Sequence, residues 1–475
     1  MDDERTLRRR DFLRRTAYTA GLATAGTMLP VDVLLREAAR AQAQTSGLPR
    51  PRNMPLDHVV VVMMENRSFD HYMGWLPDAD GDQTQTYTDP AGNVVATQHA
   101  SSLEAEYQGC GHPDPGHGWE SGRAQLQGGF LAAGSGNDEF ALSYYNEGDL
   151  EFIHAGGKEF TVYDRFFCSL LGPTWPNRYY KWSAQSGGKK DNTPPVDTAG
   201  NQWDTIFDRA YRKGLSARYY HSDLPFSAVW GPRAIPWTRP LPAYYADCAA
   251  GTLPNITFVD PPFRDGGGAD GLSADEHPHG DVRLGQAWMA DVVHAFLESP
   301  CWERGALFVV YDEWGGFFDH VTPPSVTDDR KSTDLNEDFG QMGFRIPAIA
   351  LSPFAARGTV SHLQCGFESI LKLITYRWKL GNLCARDAAA TNIGLSFTNW
   401  DTPILDCPDL PHPVHVASRP CALGGGDVLA DESAQAHVSD LAALEDLADR
   451  FGFATGAGKA EELFRSPDAI VKSLR

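Results

Sequence analysis

His58-Val59-Val60-Val61-Val62-Met63-Met64 runs without a break into Glu65-Asn66-Arg67-Ser68-Phe69-Asp70-His71. A short run dominated by valine is too brief for a buried helix and suits a strand covered on both faces. A buried strand ending in a carboxylate and an amide sets both at the carboxyl edge of a sheet, where open α/β folds bind ligands. The same form recurs downstream, where Ala306–Tyr311 delivers Asp312-Glu313-Trp314-Gly315-Gly316-Phe317-Phe318-Asp319-His320. Phe160–Tyr163, Ile256–Val259 and Ile346–Leu351 read as further buried parallel strands, with helical stretches such as Gly285–Leu297 and Phe367–Trp378 among them. Strands alternating with helices predict an α/β fold, a three-layer α/β/α sandwich around a mostly parallel sheet. Loop-like inserts at Ser186–Asn201, Pro262–Asp275, Thr322–Asp338 and Pro403–Asp427 are expected to form a cap over the ligand-binding end. Ser433–Phe451 reads as a C-terminal amphipathic helix.

Composition excludes several classes. Of 475 residues, 42% are hydrophobic and 22% charged, and Gly and Pro number 46 and 32, so neither a fibrous nor a disordered chain is indicated. A net charge of −21 argues against a nucleic-acid binder. No uncharged apolar run reaches membrane-span length, so any membrane contact is expected at the surface and transient. The N-terminus reads as an address. Arg8-Arg9-Arg10 precedes Asp11-Phe12-Leu13, a mild uncharged stretch follows, and Ala41-Gln42-Ala43 offers a cleavage site. Residues 1–43 are thus expected to be a twin-arginine signal that engages the matching export machinery, leaving 44–475 as one catalytic domain in the periplasm or outside the cell. Export exposes the eight cysteines to oxidation, and Cys407 with Cys421, flanking a Pro-rich loop, are the expected bridge.

If the two acid-bearing strands end side by side, Glu65, Asn66, Asp312 and Glu313 form one cluster. Carboxylates so crowded repel unless a cation sits among them. Oxygen donors suit Ca²⁺, Mg²⁺ or Mn²⁺, and Zn²⁺ or Fe²⁺ are left open. Thr174 lies at or just before a helix start, because Pro176 suits the first turn in Gly172-Pro173-Thr174-Trp175-Pro176-Asn177-Arg178. It is either an ordinary cap or a hydroxyl poised to attack phosphorus beside a metal. His117, and His277 and His279 in Glu276-His277-Pro278-His279, stand beside acids and loops as candidate proton donors.

Glu65-Asn66-Arg67-Ser68-Phe69-Asp70-His71, Thr174-x-Pro176-Asn177-Arg178, Glu276-His277-Pro278 and Asp312-Glu313-x-Gly315-Gly316-Phe317-Phe318-Asp319-His320-Val321 resemble the phosphoesterase family of non-specific phospholipases C and acid phosphatases. Gly343-Phe344-Arg345-Ile346-Pro347 and Leu351-Ser352-Pro353 look like its late strand, and the resemblance runs in order from residue 57 to about 378. It implies an alkaline-phosphatase-like sandwich, a divalent metal held by Glu65, Asn66, Thr174, Asp312 and Glu313, and Thr174 as nucleophile. It also implies His117, His277 and His320 as catalytic groups and Asn177, Arg178 and His279 as substrate contacts. The sequence departs from the family pattern where Trp175 stands in place of a frequent His, where Gly280 takes the place of a second His, and near Phe367-Glu368-Ser369, which lacks a preceding His. It also lacks the long C-terminal extension of some phosphocholine-specific members.

The expected function is an exported, metal-dependent phosphoric ester hydrolase of phospholipase C type, cleaving a phospholipid or a small phosphoester through a phosphothreonine. An acid phosphatase for soluble monoesters is the alternative enzyme. A secreted protein that binds phosphorylated ligands without turnover is the alternative from another class.

Overall fold

The computed structural model describes residues 47–103, 107–196, 199–263, 273–330, 337–418, 421 and 432–455. The expected signal segment lies outside them. An eight-stranded sheet forms the centre, from β1 (His58–Met64), β2 (Thr161–Tyr163), β3 (Ala217–His221), β4 (Thr238–Pro240), β5 (Ile256–Asp260), β6 (Gly305–Tyr311), β7 (Ala348–Leu351) and β8 (Thr359–Ser361). Its spatial order is β8-β2-β7-β6-β1-β5-β3-β4. The valine run is its middle strand. β1 pairs in parallel with β6 on one side and β5 on the other, so His58 faces Gly305 and Met64 faces Tyr311.

Both faces of β1 and β6 are buried, which an open-faced sheet would not allow. Helices therefore cover the sheet on both sides; the helices that matter below are α1 (Phe69–Met73), α2 (Thr174–Ser183), α3 (Val282–Leu297), α4 (Phe367–Trp378) and α5 (Glu432–Phe451). The three-layer α/β/α architecture and the positions of its central strands agree with the sequence reading. No helix among the described residues is long and apolar enough to cross a membrane.

Two expectations are corrected. The late strand starts at Ala348 and runs antiparallel to both β6 and β2. Parallel return needs a long crossover, usually a helix. The described residues between β6 and β7 are loop-like, so β7 comes back in the opposite direction. Cys421 pairs not with Cys407, which is exposed and free, but with Cys110, 311 residues away in sequence and 5.3 Å in Cα–Cα distance. Chain path, not sequence proximity, brings thiols within reach of each other.

Candidate active site

The parallel register of β1 and β6 carries on past their last residues. Asp312 N–H donates to Met64 O at 3.1 Å and Arg67 N–H to Glu313 O at 3.1 Å. Glu65-Asn66 and Asp312-Glu313 thus leave the sheet edge side by side, all four buried. Asn66 takes a left-handed backbone (φ 59), and its N–H donates to Asp312 Oδ1 at 3.2 Å. Gly315 lies so close beneath that a Cβ there would stand 2.2 Å from Asn66 O, which only glycine avoids. β5 contributes a fourth acid by the same logic, since Asp260 is its last residue.

α2 faces this edge with Thr174, Arg178 and Lys181, spaced to lie on one side of a helix. Arg178 Nη2 donates to Glu65 Oε1 at 2.8 Å and Nε to Asp312 Oδ2 at 3.1 Å, and Nη1 lies 3.1 Å from Asp260 Oδ2. Lys181 Nζ donates to Asp260 Oδ1 at 2.8 Å. Thr174 is the first helical residue and Pro173 the cap position, so the threonine side chain caps nothing. A small cavity unites Thr174 with Glu65, Arg178, Trp175, Asn192 and His437.

Three histidines surround the acids. His117 Nδ1 lies 2.7 Å from Pro115 O and His277 Nδ1 lies 3.0 Å from Pro278 O. With those nitrogens donating to carbonyls, each Nε2 is left as an acceptor or ligand directed toward the acids. His117 Nε2 stands 3.9 Å from Glu313 Oε1, and His277 Nε2 stands 3.7 Å from Asp114 Oδ2. The His277 ring stacks on that of His437, whose centroid is 3.7 Å away. Burial lowers the pKa of His117 and His277, and brings His437 down to about 3, with His117 next among the causes. All three are neutral imidazoles at pH 7.

The acids behave oppositely. Burial pushes the Glu65 carboxyl well up against the pull of Arg178, and Asp312 is raised by the same balance. Burial and then Asp312 push Glu313 well up, and burial takes Asp275 to about 7. Two details fit a cation. Glu65 Oε2 is buried with no hydrogen-bond partner among the described residues. The arm of the Asn66 amide facing the acids lies 2.7 Å from Glu313 Oε1 and 3.1 Å from Asp312 Oδ1, the other arm 2.9 Å from His277 Nε2. With nitrogen toward the acids the amide donates to both; with oxygen there, three oxygens converge and call for a positive ion. Asn66, Asp312 and Glu313 thus offer oxygens to a divalent metal, and Glu65, whose ligand atom lies within 4.8 Å of those of His277 and His437, stands beside them.

The structure brings together Glu65, Asn66, Thr174, Arg178, Asp312, Glu313, His117 and His277. Three other expected residues have their side chains engaged otherwise. His320 pairs with Asp70 (2.5 Å) and Asp80 (3.3 Å), in a separate cluster where Arg345 also binds Asp70 and Asp319 at 2.9 Å each. The two Phe-Asp-His tails do meet, but around that arginine, as a buried salt-bridge network. Asn177 spends its amide on the backbone carbonyls of Leu170, Gly172 and Pro173, shaping the loop that presents Thr174. His279 Nε2 is engaged 2.8 Å from His112 O. Sequence reasoning missed Asp260, Lys181 and His437. Asp260 closes a predicted strand just as Asp312 does, and Lys181 continues the Thr174–Arg178 face, so both carried a usable signal. His437 carried none.

A hydroxyl at a helix start, facing buried acids at the carboxyl edge of an α/β sheet, suits the hydrolysis of phosphoric esters. Residues 56–381 match the Phosphoesterase family, more than half of the chain, and the protein belongs to that family. It is 32% identical over 394 residues to non-specific phospholipase C6 of Arabidopsis thaliana, covering 74% of each chain. It is 29% identical over 476 residues to phospholipase C B of Mycobacterium tuberculosis, covering 85% of this chain and 88% of that one. Among solved structures, a protein of the alkaline phosphatase superfamily from Vibrio parahaemolyticus aligns over 77% of this chain and 79% of its own, at 8% identity. Its TM-score of 0.35 is too low to bear on the argument. The family makes the chain a hydrolase of phosphoric esters, and the non-catalytic binding protein is set aside.

Proposed function

We propose that the protein is an exported phosphodiesterase of phospholipase C type, with Thr174 as its nucleophile. The observation that carries this reading is the placement of Thr174 at the first turn of α2, one helical turn before an arginine clamped to Glu65 and Asp312. Relatives named phospholipase C over most of the chain support the phospholipid substrate.

In this reading the positive end of α2 and Arg178 draw the phosphoryl group toward the hydroxyl. Thr174 gives its hydroxyl proton to the Glu65 carboxylate that shares its cavity, and Oγ forms a bond to phosphorus as the bond to the alcohol oxygen breaks; water later releases the phosphate ester and its own proton returns to Oγ. Arg178 holds Glu65 and Asp312 in place throughout. The histidines rest neutral; an incoming phosphate raises their pKa by its negative charge, so protonation of one accompanies binding and supplies the leaving oxygen. A divalent cation held by Asn66, Asp312, Glu313 and Glu65 would, when bound, supply Lewis-acid charge stabilisation at the phosphoryl oxygens.

Export rests on Arg9-Arg10 and the A-x-A site, and the Cys110–Cys421 bridge suits an oxidising compartment. A second reading, an acid phosphatase, draws on the cavity at Thr174, which at about 20 Å³ is narrow. The test uses chelator-stripped mature protein given Ca²⁺, Mg²⁺, Mn²⁺ or Zn²⁺ in turn, with phosphatidylcholine, p-nitrophenylphosphorylcholine and p-nitrophenyl phosphate as substrates. Metal-dependent diester cleavage, abolished in Thr174→Ala, and phosphorylcholine found on Thr174 by mass spectrometry after acid quench are expected. Monoester turnover alone would move the assignment to the phosphatase. Full activity in Thr174→Ala would refute the nucleophile.

A further inference from the structure

The last helix of the described chain belongs to the active site. α5 buries Leu444, Leu447 and Ala448 in the core, and on the neighbouring face it turns His437, Asp440 and Leu441 into the cavity that holds Thr174. The spacing of His437, Asp440, Leu441 and Leu444 is that of one helical face. A relay of two hydrogen bonds fixes this helix against the nucleophile's own. Asn192 Nδ2 donates to Asp440 Oδ2 at 2.6 Å, and Asn192 Oδ1 accepts from Trp175 N–H at 2.9 Å, in the first turn of α2. The Cys110–Cys421 bridge ties down the chain shortly before α5 begins.

At the end of this scaffold stands a nitrogen with nothing to bind. His437 Nε2 is buried and has no hydrogen-bond partner among the described residues. Native interiors rarely keep such an atom, because leaving it unsatisfied costs stability, and the exceptions concentrate where a ligand completes the bond. Two roles could account for it. Ligand atoms of Glu65, His277 and His437 lie within 4.8 Å of one another, a span a metal could bridge. However, the His277 and His437 rings lie face to face, 18° from parallel. In-plane lone pairs of stacked rings run side by side and do not converge on one ion. The cavity that the imidazole shares with Thr174, about 20 Å³, has room on the reading above for a phosphoryl oxygen.

We propose that His437 is a further catalytic residue, whose Nε2–H hydrogen-bonds a phosphoryl oxygen of the substrate, so that α5 completes the site. The inference rests on the phosphoryl-transfer reading of Thr174. No proton is transferred to or from His437 in this role; the neutral imidazole donates to a non-bridging oxygen whose negative charge grows as Thr174 attacks.

The test compares His437→Phe, which keeps a ring to stack on His277 but removes the nitrogens, with His437→Gln, which restores an N–H donor. Assays use the mature, metal-replete protein with p-nitrophenyl phosphate and p-nitrophenylphosphorylcholine, inhibition by inorganic phosphate, bound metal by elemental analysis, and thermal unfolding. Loss of one donor to a developing oxyanion lowers kcat by about a hundredfold or more. His437→Phe is expected to show that loss and weaker inhibition by phosphate, with metal content and unfolding temperature unchanged, and His437→Gln to recover most of both. Parent-like kcat and phosphate inhibition in His437→Phe would reduce His437 to a packing residue and overturn the proposal. Loss of bound metal in His437→Phe would overturn it in favour of a ligand. Thr174→Ala, run alongside, tests the underlying reading separately: if it retains full turnover, that reading fails whatever the His437 variants do.

Discussion

Replacing Arg178 by Met isolates the electrostatics of the site. The guanidinium stands 2.8 Å from Glu65, 3.1 Å from Asp260 and 3.1 Å from Asp312, all buried. Lys181 remains beside Asp260 at 2.8 Å, so Glu65 and Asp312 are the acids left without a cationic partner. Removing one member of a buried ion pair costs about 3–5 kcal/mol, because the remaining charge stays desolvated. Met fills most of the arginine stem, so packing loss is small beside this. Burial already raises both carboxyls, with Arg178 the main opposing influence, and without it they rise further above the unfolded value of about 4. An acid with a raised folded pKa loses protons first in the unfolded chain, so stability falls as pH climbs through that window and returns as pH drops. Urea unfolding of the metal-stripped proteins should therefore place Arg178→Met about 3–5 kcal/mol below the parent at neutral pH. The gap should narrow toward about pH 5, where the orphaned acids take up protons. A loss under about 1 kcal/mol, or a gap that ignores pH, would show that the carboxyls are not ionised beside this arginine and would refute the reasoning.

His154 is 2% exposed, its Nε2 lies 2.9 Å from Tyr72 O, and burial holds its pKa down at about 4. A depressed histidine favours the fold fully above about pH 6.5 and loses that contribution as pH falls toward 4, up to about 3 kcal/mol; His154→Gln should flatten this acid limb in urea melts taken across pH. Gly285 sits inside α3, where alanine ordinarily gains about 1 kcal/mol. Here a Cβ would stand 2.2 Å from Glu276 Cγ, so Gly285→Ala should lose about 1–3 kcal/mol by denaturant unfolding, and a gain would contradict the packing. Cys110→Ser should cost about 2–4 kcal/mol and remove the sensitivity of the melting temperature to reductant; an unchanged melting temperature would argue against the Cys110–Cys421 bridge.

Much of this molecule is legible in its sequence. The valine run of β1 and the apolar run of β6 announced buried strands because side chains covered on both faces leave no polar alternation. Their acidic endings announced the sheet edge for the same reason, since charge must leave the core where the strand does. What lay beyond the sequence depended on contacts between distant segments. Asp70, Asp319 and His320 share wording with the site but serve a salt bridge, because Arg345 arrives between them from the far side of an insert. β7 turns antiparallel because its connection holds no crossover helix among the described residues, a property of the path and not of the strand's own residues. Cys421 finds Cys110 across 311 residues, and His437, unremarkable within an amphipathic helix, reaches Thr174 only because α5 docks there. Local periodicity and strand-end chemistry are properties of neighbours in sequence, so the sequence alone determined the layers and the acidic edge. Which groups face one another across that edge is a property of packing, and the tertiary structure decided it.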